Sequence, residues 1–339
     1  MDLGEKREQL QDAAGRTTTL KIAFIGLADG LLAALDQESP STARDLADRT
    51  DNDTGYVARW LDAAYAFELT DAAGKKFRLT QLGEAFLPDA PGTLMPLAVQ
   101  SILSARLADR LADLVRSGEQ PGEAILAEFE NITPWFGPML EVKFRPYFRE
   151  HVLPSLSLFS QVDPKGGRVL DLGCGNGWYL RALLAEYRGL TGVGVDQMQE
   201  SINHARRATK EAALNHRLEF RRADIFDYRP EDPFDVVVLN RTLHHVWSRR
   251  DELFDTVEAS LADDGWLVAW EPAWPNDRAD LRTPERKMLG MRNLAEHAMG
   301  NRLLAPKDVR RAFERHDFET DVRRLDHVET LIVGRQSSE

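Results

Sequence analysis

Three acidic side chains in the C-terminal half stand where apolar runs end. Asp171 lies in VLDLG, just ahead of a turn that holds Gly173, Gly175 and Gly177. Asp196 closes the run TGVGVD, 25 positions further on (196 − 171), and Asp224 follows LEFRR in the string Ala223-Asp224-Ile225. A glycine turn lets a ligand lie against bare backbone, because no Cβ intrudes. A carboxylate at the tip of a second strand is placed to accept from two ribose hydroxyls, and one after the third strand from an adenine amino group, with Ile225 or a neighbour against the ring. The next apolar run, FDVVVLN, ends in Asn240, and His244 and His245 follow in RTLHHVW; His297 comes later in NLAEHAMGN. Imidazole has an unperturbed pKa of about 6.5, so these side chains suit proton abstraction near neutral pH. Each acid taken singly reads equally well as a strand-end cap. Three at successive strand ends are hard to explain as caps.

The elements that position these residues follow from apolar patterning. From Arg168 onward RVLDLG, TGVGVD, LEFRRAD, FDVVVLN and GWLVAWE alternate with amphipathic helical stretches. Near-continuous Val/Leu runs followed by helices predict a parallel sheet covered on both faces. The fold class expected is α/β: a Rossmann-like, mostly parallel sheet with helices on both faces, preceded by an α-helical winged-helix domain. The domains are placed at 1–92, a winged-helix dimerisation domain; 93–163, a helical linker and substrate-pocket segment; and 164–339, the Rossmann-like cofactor-binding domain.

In the first of these, Leu27, Leu31, Leu32 and Leu35 form one apolar stripe. Ser41 is the expected N-cap of a helix through Leu46 and Ala47. Asp53 caps a third helix on which Tyr56, Val57, Trp60, Leu61, Ala64 and Tyr65 share a face. LTDAAGKKFRLT then gives two short strands around Gly74. Helix, helix, helix, β-ribbon is the order of a winged helix, a frequent DNA binder. The third helix, however, offers Arg59 as its single arginine, where a DNA reader needs several phosphate and base contacts. The segment 93–163 is punctuated by Pro134, Pro138, Pro146 and Pro154. Its aromatic residues Trp135, Phe136, Phe144, Tyr147 and Phe148 read either as core or as the lining of an apolar substrate pocket.

Composition narrows the function. The 339 residues carry a formal charge of −12, which argues against nucleic-acid partners. Apolar runs fall far short of the roughly 20 residues of a membrane span, and the polar start MDLGEKREQLQD does not resemble a signal peptide. A lone cysteine, Cys174, allows no intramolecular disulfide and fits a reducing, cytoplasmic setting.

The glycine motif with its three acids resembles the class I S-adenosylmethionine-dependent methyltransferases, over about Arg168 to Gly334. That resemblance implies S-adenosyl-L-methionine as cofactor, contacted by Gly173, Gly175 and Asp196. Asp171 would lie near the amino acid moiety, Asp224 and Ile225 at adenine, and Asn240 beside the methyl donor. A carboxylate inside the motif suits a cofactor with an ammonium group and a sulfonium and no phosphate. A dinucleotide dehydrogenase is the competing reading, but Trp178 stands where its third glycine would be. With a winged helix ahead of it, the chain is similar to small-molecule O-methyltransferases, whose N-terminal domain serves dimerisation. This implies a small-molecule substrate and a homodimer.

The strings HHVW and HAMGNRLLAP also resemble methyltransferases acting on the β-carbon of α-keto acids. In those, two histidines and an acid hold a metal; His244 and His297 match the histidines and His245 replaces the acid. A divalent metal or iron chelating a keto acid would stabilise its enolate. Arg241, Arg145 and Arg149 are the cations that could then anchor a carboxylate. A third reading is a winged-helix regulator that binds S-adenosylmethionine without catalysis.

Overall fold

The computed structural model describes residues 2–122, 124–129 and 131–336. The chain divides into two compact units: residues up to Asp113 with Leu126–Val142, and Leu114–Ile125 with Lys143 onward. The segment 93–163 is thus shared between the units.

The first unit holds α1 (Leu3–Ala28), α2 (Leu31–Gln37), β1 (Ser41–Thr42), α3 (Ala43–Thr50), α4 (Thr54–Ala66), β2 (Thr70–Ala73), β3 (Lys76–Leu79) and α5 (Gln81–Glu84). α6 (Met95–Ser117), α7 (Ala124–Ala127) and α8 (Thr133–Tyr147) run across the division. The caps follow the short polar side chains. Asp53 accepts from the Tyr56 amide at 2.9 Å, as expected. α3 is capped by Thr42 and not by Ser41: the Thr42 hydroxyl accepts from the Asp45 amide at 3.2 Å, while the Asp45 carboxylate accepts from the Thr42 amide at 3.0 Å. This reciprocal pair favours the residue three positions ahead of an acid, and Ser41 instead donates to the Glu38 carbonyl. On α4, Val57, Trp60, Leu61 and Ala64 are buried, but Tyr56 and Tyr65 are 80% and 54% exposed. The two tyrosines flank the arc that positions i, i+3, i+4 and i+7 bury. β2 and β3 pair around Gly74, and β1 joins β3, giving the order β1-β3-β2.

The second unit is built on a seven-stranded sheet: β4 (Arg168–Leu172), β5 (Thr191–Asp196), β6 (Leu218–Arg222), β7 (Phe234–Asn240), β8 (Leu261–Pro272), β9 (Phe318–Arg324) and β10 (Glu329–Gln336). The order is β6-β5-β4-β7-β8-β10-β9, with β10 antiparallel to both its neighbours and every other pairing parallel. Between strands run α9 (Leu158–Val162, ahead of β4), α10 (Trp178–Glu186), α11 (Gln199–Glu211), α12 (Arg250–Glu258), α13 (Lys287–Ala298) and α14 (Pro306–Arg315). Leu170, Val195, Val237, Leu239, Phe254, Phe313 and Ile332 are among the buried side chains of one continuous core. The five parallel strands are those read from the apolar runs. The strand order reverses at β4 and β7, and in such sheets ligands bind beyond the carboxyl ends at this reversal. Among the described residues no single helix is long and apolar enough to cross a membrane.

Candidate active site

The glycine turn closes over the tip of β5. Gly173 and Cys174 donate to the Val195 carbonyl at 2.8 and 3.1 Å. Asp196 uses one carboxylate oxygen for the Gly175 amide, at 2.9 Å, and the other for Met198, at 2.8 Å. Gly175 has φ +52° and nothing within 4 Å of where a Cβ would stand, so its side of the turn is open. Beneath it Asp171 is fully buried, and neither carboxylate oxygen has a partner. Burial first, and then the charge of Asp196, push its carboxyl well above the usual range. A buried, unpaired carboxylate is costly to leave unmatched, and a ligand ammonium would supply the missing partner. The Asn240 side-chain oxygen, at the end of β7, is likewise buried without a partner. Asp224 is exposed and accepts from the Phe226 amide at 3.0 Å. The Ile225 side chain is turned into the sheet core, which leaves a stacking role to its neighbours.

Past Asn240 the chain takes a left-handed step at Arg241, φ +58°, a backbone state that non-glycine residues seldom adopt. The Arg241 guanidinium bonds Glu329 at 2.7 Å and lies 4.1 Å above the Phe144 ring. Glu329 also accepts from the Trp270 indole at 2.8 Å. Arg241 is therefore committed internally, and Arg149 pairs with Glu186 at 2.7 Å. Phe144, Tyr147 and Phe148 pack around Trp270, so this part of the aromatic cluster is core.

The step at Arg241 delivers Thr242, Leu243, His244 and His245. Thr242 presses on the glycine turn: a Cβ at Gly173, which has φ +78°, would lie 2.6 Å from the threonine side chain. Glu271, near the end of β8, clamps the loop. One of its oxygens accepts from the Leu243 amide at 2.8 Å, and the other meets His244 Nδ1 at 2.5 Å. From α13, Glu296 stands 3.5 Å from His244 Nε2 and 3.7 Å from His245 Nδ1. Arg292, one turn earlier, lies 3.3 Å from His244 Nε2. Asn301 donates to His245 Nδ1 at 3.1 Å, and the two imidazoles lie with centroids 4.1 Å apart and planes tilted by 36°. His297 is not among them. It is exposed and meets the Gln120 amide at 3.1 Å, because neighbouring helix positions point about 100° apart. Its neighbour Glu296 faces the pair instead. His244, His245 and Glu296 bring one ligand atom each within 4.8 Å of one another.

These contacts set the proton affinities. Burial disfavours a charged His244, but the charge and hydrogen bond of Glu271, helped by Glu296, outweigh it and raise its pKa above 6.5. Burial and the neighbouring His244 take His245 down to about 4. Burial alone would raise Glu296; its bond to His244, with the charges of both histidines and Arg292, brings it to about 2. The adjacent pair is thus divided into one basic and one neutral imidazole.

Glu296, Arg292 and Glu329 also line the candidate site, and the sequence patterns did not single them out. Glu271 near its strand's end carried the same signal as Asp196 and Asn240. Glu296 and Arg292 carried none, since a helix bearing several charges does not reveal which face turns inward.

A methyltransferase domain matches residues 144–322, more than half of the chain. The chain is 28% identical over 258 residues to O-methyltransferase SfmM3 of Streptomyces lavendulae, spanning 73% of each. It is 32% identical over 132 residues to the fatty-acid O-methyltransferase of Mycolicibacterium smegmatis, 37% of this chain and 46% of that one. Among solved structures it is similar to N,N-8-amino-8-demethyl-D-riboflavin dimethyltransferase (RosA) from Streptomyces davawensis, with TM-score 0.72 and 21% identity over 99% of this chain and 100% of that one. Sheet order and glycine turn define the class I methyltransferase fold, and the chain belongs to the methyltransferase-domain family.

The divided histidine pair makes a prediction independent of turnover. Imidazole NMR titration should give His244 a pKa above 6.5 and leave His245 neutral at pH 6. Glu271→Gln removes the charge that raises His244, so its pKa should fall. A His244 titration unmoved by Glu271→Gln would show that the clamp does not set the proton affinity.

Proposed function

We propose that the protein transfers a methyl group from S-adenosylmethionine to an oxygen of a small molecule, with His244 taking the acceptor's proton. The observation that carries this reading is the orphaned Asp171 carboxylate under an open glycine turn, against which Thr242 seats the histidine loop. The O-methyltransferase relatives support an oxygen acceptor. Bound S-adenosylmethionine supplies a sulfonium-activated methyl, so the acceptor needs alignment and loss of a proton.

This chain's residues divide that work. Asp171 and Asn240 would take the amino acid end of the cofactor, where their unpaired oxygens suit an ammonium group. Asp196 keeps lone pairs for ribose hydroxyls beyond its bonds to Gly175 and Met198, and Asp224 would accept from adenine. Glu271 fixes the His244 ring through Nδ1 and turns Nε2 toward Glu296 and Arg292, whose contacts the acceptor would displace, the logic of a carboxylate that orients a histidine base. An acceptor hydroxyl reaching Nε2 replaces the contact with Arg292, whose guanidinium then lies beside the developing oxyanion. His245, held neutral, is the weaker base and orients the acceptor.

A second reading rests on the grouping of His244, His245 and Glu296. These would be the ligands of a divalent metal or iron, a Lewis acid for an acceptor with chelating oxygens. The donor set fits such an ion: two imidazoles and a carboxylate, with Glu271 behind His244 as an orienting partner.

The N-terminal unit is proposed as a dimerisation module, on its exposed Leu10, Ile25, Tyr56 and Leu97. Nucleic acid is not a proposed partner. The one arginine of α4, Arg59, is folded back onto the Gly55 carbonyl at 3.0 Å.

Asp196→Ala should weaken S-adenosylmethionine binding at least tenfold by calorimetry, since hydrogen bonds to charged groups contribute roughly 1.5–3 kcal/mol each; unchanged affinity in the folded variant would remove Asp196 from the site. Turnover should rise with pH through a midpoint above 6.5, because only the deprotonated form of a histidine with a raised pKa accepts a proton. His244→Ala should abolish that limb, and a profile unaltered by the substitution would exclude His244 as the base. A strong chelator separates the two readings. Under the first, activity survives chelation; under the second, it disappears and returns with added metal, and elemental analysis finds metal that His245→Ala loses. Light scattering on the full chain should give twice the mass of one chain, and a monomer would refute the dimer.

A further inference from the structure

A cleft of about 550 Å³ lies between the segment after the histidine loop and α14. Four arginines line it: Arg250, Arg302, Arg311 and Arg315. Arg311 and Arg315 are one turn apart on α14 and so share a face. Two acids are also present, Asp308 and Glu314, but Glu314 is held by Arg310 at 2.6 Å. Arg302, Arg311 and Arg315 therefore share one uncommitted carboxylate, Asp308, on a chain whose net charge is −12. Arg250 pairs with Asp251 at 3.5 Å and donates from Nη1 to the Trp247 carbonyl at 3.2 Å, while its Nε is buried with no hydrogen-bond partner. Trp247 supplies an apolar wall, with the Arg250 guanidinium 5.2 Å from its ring. Like charges that outnumber their carboxylates repel one another, and the arrangement is relieved by an anion that several guanidinium forks can grip at once.

We infer that this cleft binds a small phosphorylated molecule. Arg302, Arg311 and Arg315 take the phosphate, Arg250 completes the cage, and Trp247 covers the remainder of the ligand. Both walls are anchored beside the histidine pair. Trp247 is two residues past His245, and Arg302 directly follows Asn301, which bonds His245. The site is separate from the residues proposed to hold S-adenosylmethionine, and the inference stands whether His244 acts as a base or as a metal ligand.

The test uses the full chain and inorganic pyrophosphate as probe, followed by calorimetry at low salt. Pyrophosphate should bind with one site per chain. Arg311→Ala/Arg315→Ala should weaken it at least tenfold while leaving the thermal melt unchanged, because both side chains are exposed. Arg311→Lys/Arg315→Lys keeps the charge but loses the forks, and should bind several-fold more weakly than the natural chain. Absence of pyrophosphate binding, or equal affinity in the alanine variant, overturns the inference. Full affinity in the lysine variant also overturns it, since diffuse charge would then suffice.

Discussion

The site depends on one carboxylate, Glu271. It reaches across from β8 to bond both the Leu243 amide and the His244 ring. The segment after β7 begins with a left-handed residue, Arg241, and continues only into a short 3-10 turn over Leu243–His245. Glu271 gives that loop two fixed points one residue apart. Its burial makes the bond strong, since a charge removed from water holds its partner through a low dielectric. Neutralising it would leave the backbone contact weakened and the imidazole without its orienting group.

Around this clamp two buried carboxylates play opposite parts. Glu271 is matched on both oxygens and is held low in pKa with His244 as its partner. Asp171, equally buried, is matched on neither and is pushed high. The first is a finished internal interaction, whereas the second is buried without a hydrogen-bond partner. Thr242 stands between them, packed on Gly173 and two residues before His244. The glycine turn and the histidine loop are therefore in direct van der Waals contact through Thr242 and Gly173.

The parallel half of the sheet and the cofactor turn were legible in the sequence, because apolar runs and strand-end acids are local signals. The antiparallel strand β10 was not singled out. Its run, ETLIVGRQ, resembles any buried strand, and direction is set by partners far away in the chain. The histidine loop was legible as chemistry but not as geometry. His244 and His245 stood out by type, yet the third member, Glu296, is decided by the phase of α13, and His297 one position away carried the more conspicuous side chain. The N-cap of α3 missed by one residue for a comparable reason, since Ser41 and Thr42 are both good caps and Asp45 selects between them.

The position of β10 imposes an order on how the protein is made. It lies between β8 and β9 although it is the last of the three in the chain, so β8 carries an open edge throughout synthesis of everything before residue 329. Exposed edges of apolar strands invite pairing with other chains, and β8 is a long one. The same strand brings Glu329, the partner of Arg241 and Trp270, at its first residue. Closing the sheet and neutralising the arginine under the histidine loop are thus the work of one strand.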